Sequence, residues 1–146
     1  MMNNIIICIP TYNRNKSLIN CLKSIKKIKK NKLFKIKILV LDNSFTNNSY
    51  KIVKKFNKKT ILNIYQEHEK KRGIVYARNK CLKLVRKLKP NYLAFIDDDC
   101  EVDKNWLINI SKLLKKVNAD VITGPQLYEK NNKNNHIHLF EKKYKE

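Results

Sequence analysis

Tyr92-Leu93-Ala94-Phe95-Ile96-Asp97-Asp98-Asp99 joins five apolar residues directly to three acidic ones, and the reading of this stretch decides the fold. The chain carries 33 Lys+Arg against 12 Asp+Glu, so three consecutive carboxylates are a concentration that composition does not explain. Two unit charges about 4 Å apart repel by roughly 4 kcal/mol at an effective dielectric near 20. Three of them at the end of a buried strand call for a cation. Strand geometry running through the triplet would send Asp97 and Asp99 to one face and Asp98 to the other. Two carboxylates on one side suit a hard divalent ion such as Mg2+ or Mn2+ that takes its remaining ligands from phosphate. The competing reading is a solvated acidic turn that caps the next helix.

Working outward from this stretch, the periodicity alternates between strand and helix. Residues 4–9 are a continuous apolar run, as for a strand buried on both faces, and Pro10 is expected to stop it. From Asn15 a helix places Leu18, Cys21, Leu22, Ile25 and Ile28 on one stripe. Ile36 to Leu41 reads as a second strand ending at Asp42 and a turn-rich Asn43–Ser49. A short helix over 49–57 and a third strand from Ile61 to Tyr65 follow. After the Glu67–Arg72 loop, Gly73 precedes a helix with Ala77, Cys81, Leu84, Val85 and Leu88 on one face, closed by Pro90. Tyr92–Ile96 is the fourth strand. A further helix carries Trp106, Leu107, Ile110, Leu113, Leu114 and Val117, and Asp120–Thr123 reads as a fifth strand. Residues 131–135 are low-complexity, so the division expected is a domain over 1–128 and a polar tail, or the start of a further region, over 129–146.

Strand–helix alternation implies an α/β fold: a mostly parallel sheet with helices on both faces, three layers in all. Ligands of such sheets bind beyond the carboxyl ends of the strands. Those ends carry Pro10–Arg14, Asp42-Asn43-Ser44, the Glu67–Gly73 loop and the acidic triplet. Several chemistries are excluded. A haloacid-dehalogenase-type phosphatase needs Asp-x-Asp after the first strand, where this chain has Pro-Thr-Tyr-Asn-Arg. A receiver domain needs a phosphoacceptor Asp on the third strand, where Tyr65-Gln66 stand. With only two glycines there is no phosphate-binding loop of either common type, and a nucleotidyltransferase loop is missing too.

At 146 residues and 42% hydrophobic content the chain suits one domain with a real core. Only four of the basic residues are Arg (Arg14, Arg72, Arg78, Arg86). With abundant Lys, Asn and Ile, part of the +21 charge reflects coding bias. The field still attracts polyanions and acidic membranes, but no groove-reading motif for nucleic acid is present, and none is expected as a partner. Cys8, Cys21, Cys81 and Cys100 have no C-x-x-C spacing and read as buried thiols rather than disulfides or zinc ligands. No segment is long enough for a signal h-region or a membrane span. The expectation is a cytoplasmic protein, with peripheral contact at the inner membrane face left open.

Residues 5–14, 38–49, 73–79 and 94–107, in this order and spacing, closely resemble the successive signatures of family 2 glycosyltransferases with the A-type, Rossmann-like fold. The resemblance covers roughly residues 4–128. It implies a nucleotide-sugar donor, usually a UDP-sugar, a divalent metal (Mn2+ or Mg2+) bound through a DxD motif, and transfer with inversion to a glycan or lipid-linked acceptor, as in polysaccharide biosynthesis. Carried over, Pro10, Thr11 and Tyr12 would line the nucleobase and ribose side, and Asp42 would accept a hydrogen bond from the base. Gly73 would let the backbone approach the donor, and Arg78 would reach the diphosphate. Asp97 would contact the ribose or sugar and help hold the metal, Asp99 would ligate the metal, and Asp98 lies between them on the donor side.

Two departures stand out. Asn47-Asn48 replaces the frequent Asp-Gly of the turn after the second strand. No catalytic base is identified either: inverting transfer needs a carboxylate to deprotonate the acceptor, and Glu129 and Glu141 match no family motif. His136-x-His138 reads as exposed polar residues. The expectation is therefore a donor-binding portion, either a truncated product or a piece that works beside a partner chain supplying the rest. The rival is a non-catalytic basic module for nucleotide sugar, anionic lipid or polyanion.

Overall fold

Strands and helices alternate as β1 (Asn3–Thr11), α1 (Asn15–Lys26), β2 (Phe34–Asp42), α2 (Ser49–Asn57), β3 (Asn63–His68), α3 (Ile74–Leu88), β4 (Tyr92–Phe95) and α4 (Trp106–Leu114). This computed structural model describes residues 3–29 and 33–125. The sheet order is β3-β2-β1-β4 and every pairing is parallel. Ile7, Ile9, Ile38, Val40 and Ile64 pack under α1 and α2 through Leu18, Leu22, Ile25 and Val53. The opposite face sends Ile6, Cys8, Leu39 and Leu41 against Ala77, Cys81 and Val85 of α3. The result is the expected three-layer α/β/α sandwich. Burial on both faces is why Ile5–Ile9 of β1 and Ile38–Leu41 of β2 are unbroken apolar runs, each Ile or Leu contributing about 1.5–3 kcal/mol. Leu107 of α4 joins Ile5 and Phe34 where the strands begin.

Several boundaries differ from the sequence expectation, each for a local reason. Pro10 does not stop β1, which continues to Thr11. The Cys8 carbonyl accepts from the Ile96 amide while the Thr11 carbonyl accepts from Asn43, so even-numbered residues of β1 face β4 and odd ones face β2. Pro10 therefore aims its missing donor at the side where β4 has already ended, and no ladder bond is lost. β3 begins at Asn63 and runs to His68, later than the Ile61–Tyr65 run suggests. It is an edge strand with only Ile64 buried, so polar Gln66, Glu67 and His68 extend it at little cost. The last helix ends at Leu114 before Val117, and Leu113 of its predicted stripe is 39% exposed. Asp120–Thr123 forms no strand. Four residues provide few ladder bonds against an ordering cost of about 1–2 kcal/mol each.

The described residues up to Lys116 form one compact unit, and those from Val117 onward fall outside it. Glu129, His136, His138 and Glu141 lie outside the described residues. The four cysteines are free thiols; Cys8, Cys21 and Cys81 are fully buried and Cys100 is partly so. Burial pushes the Cys21 thiol up to about 12, so it stays protonated and inert. Among the described residues no helix is long and apolar enough to cross a membrane.

Candidate functional site

The acidic triplet lies just past β4, but it does not continue the strand. β4 ends at Phe95, and the Cys100 amide donates to the Asp97 carbonyl at 3.0 Å, closing a turn. Strand alternation across Asp97–Asp99 is thus replaced by a turn that sends each carboxylate elsewhere. Asp98 goes inward, its side chain 6% exposed, and Asp97 and Asp99 stay half-exposed. Asp98 Oδ2 accepts from Thr11 Oγ1 at 2.7 Å and its Oδ1 from Arg14 Nη1 at 3.3 Å. The same Arg14 nitrogen lies 2.6 Å from Asp99 Oδ2, and Arg78 Nη2 lies 3.1 Å from Asp97 Oδ1. Two guanidinium groups thereby relieve the repulsion that three adjacent carboxylates create. Asn13, at φ 55°, makes this possible by turning the chain sharply between β1 and α1, a left-handed conformation that Asn tolerates. Asn47 takes the same left-handed conformation at φ 48°, while Asn48, which stands where the family often has glycine, sits at φ −65° and needs none.

Asp42, expected at the nucleobase, is placed behind the rim in the turn after β2. It is 1% exposed, and its two oxygens accept the amides of Ser44 and Ser49, each at 2.8 Å. Burial alone would raise its pKa, but the bonds from Ser44 and Ser49 outweigh that and hold it below the usual carboxylate range. Asp42 does not line the cleft described below. Its carboxylate caps the first residue of α2 and pins the turn, because those backbone donors have no other partner once buried. The neighbouring Asn43 is the residue that faces the cleft. Its Nδ2 donates to the carbonyls of Glu69 and Lys71 at 2.9 and 2.8 Å, and its Oδ1 accepts the Gly73 amide at 2.8 Å. Asn43 thus shapes the 69–73 loop. Gly73 itself sits at φ 130°, ψ 143°, a conformation open to glycine alone, and starts α3 toward the rim.

An open cleft of ≈ 450 Å³ gathers these elements. Pro10, Thr11, Tyr12, Gly73, Arg78, Asp97, Asp98 and Asp99 all line it, as the sequence predicts, and Asp42 alone of the candidates does not. Arg14, Asn43 and Arg72 line it as well. Their signal was available: in a lysine-rich chain, three of the four arginines border this one cleft and no lysine does. Arg72 lies over the rings of Tyr12 and Phe45, 5.0 and 5.7 Å from their centroids, and Phe45 is 75% exposed. One wall of the cleft is therefore a cationic–aromatic stack and the opposite wall an acidic turn.

The donor set fits a divalent cation only in part. Asp97 and Asp99 offer accessible oxygens, the right chemistry for Mg2+ or Mn2+. Each carboxylate is paired with an arginine, and among the described residues no group of three or more ligating side chains converges. Three carboxylates and three guanidinium groups leave the cleft close to neutral. An ion arriving here needs further oxygens from an anionic ligand.

Comparison with known proteins agrees with this architecture. The glycosyl transferase family 2 profile matches residues 6–145. An uncharacterised protein of Methanocaldococcus jannaschii, MJ0544, is 33% identical over 129 residues, which are 85% of this chain and 52% of the relative. The chain thus spans about half the length of that curated relative. Among solved structures, the mannosyltransferase PcManGT of Pyrobaculum calidifontis, in complex with GDP-Man and Mn2+, superposes with a TM-score of 0.65 at 21% identity, over 78% of this chain and 33% of that one. S. aureus TarS 1-349 in complex with UDP-GlcNAc gives 0.63 at 22%, over 86% and 38%. These likenesses share the glycosyltransferase A-type fold, and with the family profile covering nearly the whole sequence, the chain belongs to glycosyl transferase family 2.

Proposed function

We propose that the rim cleft binds a nucleotide-diphospho sugar, with a UDP-sugar as the first candidate, and holds it for inverting transfer to an acceptor hydroxyl of a glycan or lipid-linked chain. The observation that carries this reading is the concentration of arginine in a lysine-rich protein. Arg14, Arg72 and Arg78 border the same cleft as the acidic turn. A guanidinium presents a planar fork that matches phosphate oxygens bidentately, whereas lysine offers a point charge. Arg14 and Arg78 hold the carboxylates now and are placed to turn to a diphosphate. Tyr12, Phe45 and Arg72 offer a stacking surface for the nucleobase.

Asp97 and Asp99 would hold the divalent cation, which when bound neutralises charge on the leaving diphosphate. Thr11 and Asp98 act from behind: their buried hydrogen bond locks the acidic turn to the end of β1. Support for the donor class comes from the relatives, since PcManGT is described with GDP-Man and Mn2+, and TarS with UDP-GlcNAc and with UDP. The test is thermal unfolding with UDP and Mn2+. Both together raise the melting temperature of the wild type, and Asp99→Ala abolishes the gain. Equal stabilisation of wild type and variant refutes the metal assignment.

One observation favours a second reading, donor binding without turnover by this chain alone. Among the described residues every carboxylate in the cleft is already paired, leaving no free base for the acceptor. Release of UDP from a UDP-sugar in the presence of acceptor decides between the two.

A further inference from the structure

We propose that the end of the domain opposite the cleft docks on an anionic lipid bilayer, leaving the rim facing away from it. The proposal is independent of what the cleft binds.

The argument starts from where charge falls along the chain. No Asp or Glu occurs in residues 1–41, 43–66 or 70–96. The acids that fall between these stretches, Asp42, Glu67, Glu69 and the triplet, all lie at the rim. In a parallel sheet the crossover helices run antiparallel to the strands. The ends of α1, α2 and α3 therefore meet where the strands begin, and each has two cations in its last turn. The connections beyond these helices add Lys27, Lys58, Lys59 and Lys89, all exposed. None of these four forms an ion pair among the described residues. Cations at helix ends also complement the helix dipole. Dipole complementarity would equally favour acids in first turns, however, and none of the helices has one. Among the described residues the charge is therefore uneven: acids and cations mix at the rim, and the surface around the α2 and α3 ends is purely basic. On the α1 side Asp103 stands next to Lys104, whose carbonyl accepts the Lys29 amide.

Exposed aliphatic groups sit within this basic end. Ile61, two residues past Lys59, is 91% exposed, and Leu88, between Lys87 and Lys89, is 54% exposed. Leu82 lies in a groove of α3 bordered by Lys83, Arg86 and Lys87. Nucleic acid would reward aromatic rings for stacking and forks for phosphate. Aliphatic tips flanked by lysines gain instead from entering the boundary between headgroup and acyl chain. The nine residues of β1, at about 3.3 Å each, put the cleft roughly 25–30 Å above that surface.

The experiment is co-sedimentation of the full chain with vesicles of phosphatidylcholine alone, or with phosphatidylglycerol added, at low and high salt. Binding is expected only to the anionic vesicles and is lost at high salt. The variant K58Q/K59Q lowers partitioning about thirtyfold, from about fivefold per lysine near such a surface. Ile61→Ser lowers it about tenfold on vesicles and leaves binding to a soluble single-stranded RNA unchanged. The pair K16Q/K51Q, in the first turns of α1 and α2 at the rim end, changes little. Equal losses from K58Q/K59Q and K16Q/K51Q overturn the proposal, as does equal binding to neutral vesicles. An Ile61→Ser variant that binds vesicles like wild type overturns it too and assigns the face to polyanions.

Discussion

Asp98 and Asp99 are adjacent in sequence, yet replacing each by asparagine has opposite consequences. Asp98 is buried and takes a charge-assisted bond from the Thr11 hydroxyl, worth about 1.5–3 kcal/mol, with a longer contact to half-exposed Arg14 adding at most about 1 kcal/mol. Asn at this position keeps one acceptor oxygen and presents an NH2 to one of its two donors. The expected loss is about 2 kcal/mol. At about 4 °C per kcal/mol for a chain of this size, the melting temperature falls by about 8 °C. Asp99 pairs with Arg14 across open solvent, with both side chains more than half exposed. Asp99→Asn therefore costs about 0–1 kcal/mol and moves the melting temperature by less than about 4 °C. Ligand reverses the order. At UDP and Mn2+ concentrations about a hundredfold above Kd, linkage adds about 2.7 kcal/mol to wild type, a rise of about 10 °C. Asp98→Asn retains that rise from its lower starting point, and Asp99→Asn loses it. Differential scanning fluorimetry of the three proteins with and without ligand reads all six values. Asp98→Asn melting with wild type would refute the anchoring role of the buried bond. Asp99→Asn responding fully to ligand would refute the division of labour within the triplet.

Gly73→Ala places a side chain at φ 130°, where strain costs about 1–3 kcal/mol, with the new Cβ 3.4 Å from the Tyr76 ring; a lower urea midpoint and weaker nucleotide binding are expected together, because the same loop shapes the cleft. Asp42→Asn leaves one of the Ser44 and Ser49 amides without an acceptor and costs about 1–3 kcal/mol in urea unfolding at neutral pH. Because the folded pKa of Asp42 is depressed, its contribution is complete above the ordinary value of 3.8 and fades as the pH falls through the lower folded value. The difference between wild type and Asp42→Asn should therefore shrink on acidification below about pH 4, and a gap that widens there would contradict the capping role.

Short-range pattern was enough for the layers of this protein. The apolar runs of β1 and β2 announce burial on both faces, and the stripe of α1 names the residues that meet them, because periods of 2 and 3.6 report which side of an element is dry. The order of the motifs also put nearly every candidate residue at one sheet edge, and the structure brings all but Asp42 into a single cleft. A rim carboxylate and a capping carboxylate look alike in sequence; the bonds of Asp42 to Ser44 and Ser49 are visible only once the turn has closed. Past the end of a strand, periodicity has nothing more to say. The partners of Asp98 and Asp99 are Thr11 and Arg14, 84 to 87 residues away, and the parallel register of β1 beside β4 brings them together. Local sequence thus determined which residues are buried and which stand at the rim. Which carboxylate anchors the turn and which face the cleft was decided by the register between distant strands, because direction beyond a strand end is set by long-range hydrogen bonds rather than by the chain's own repeat.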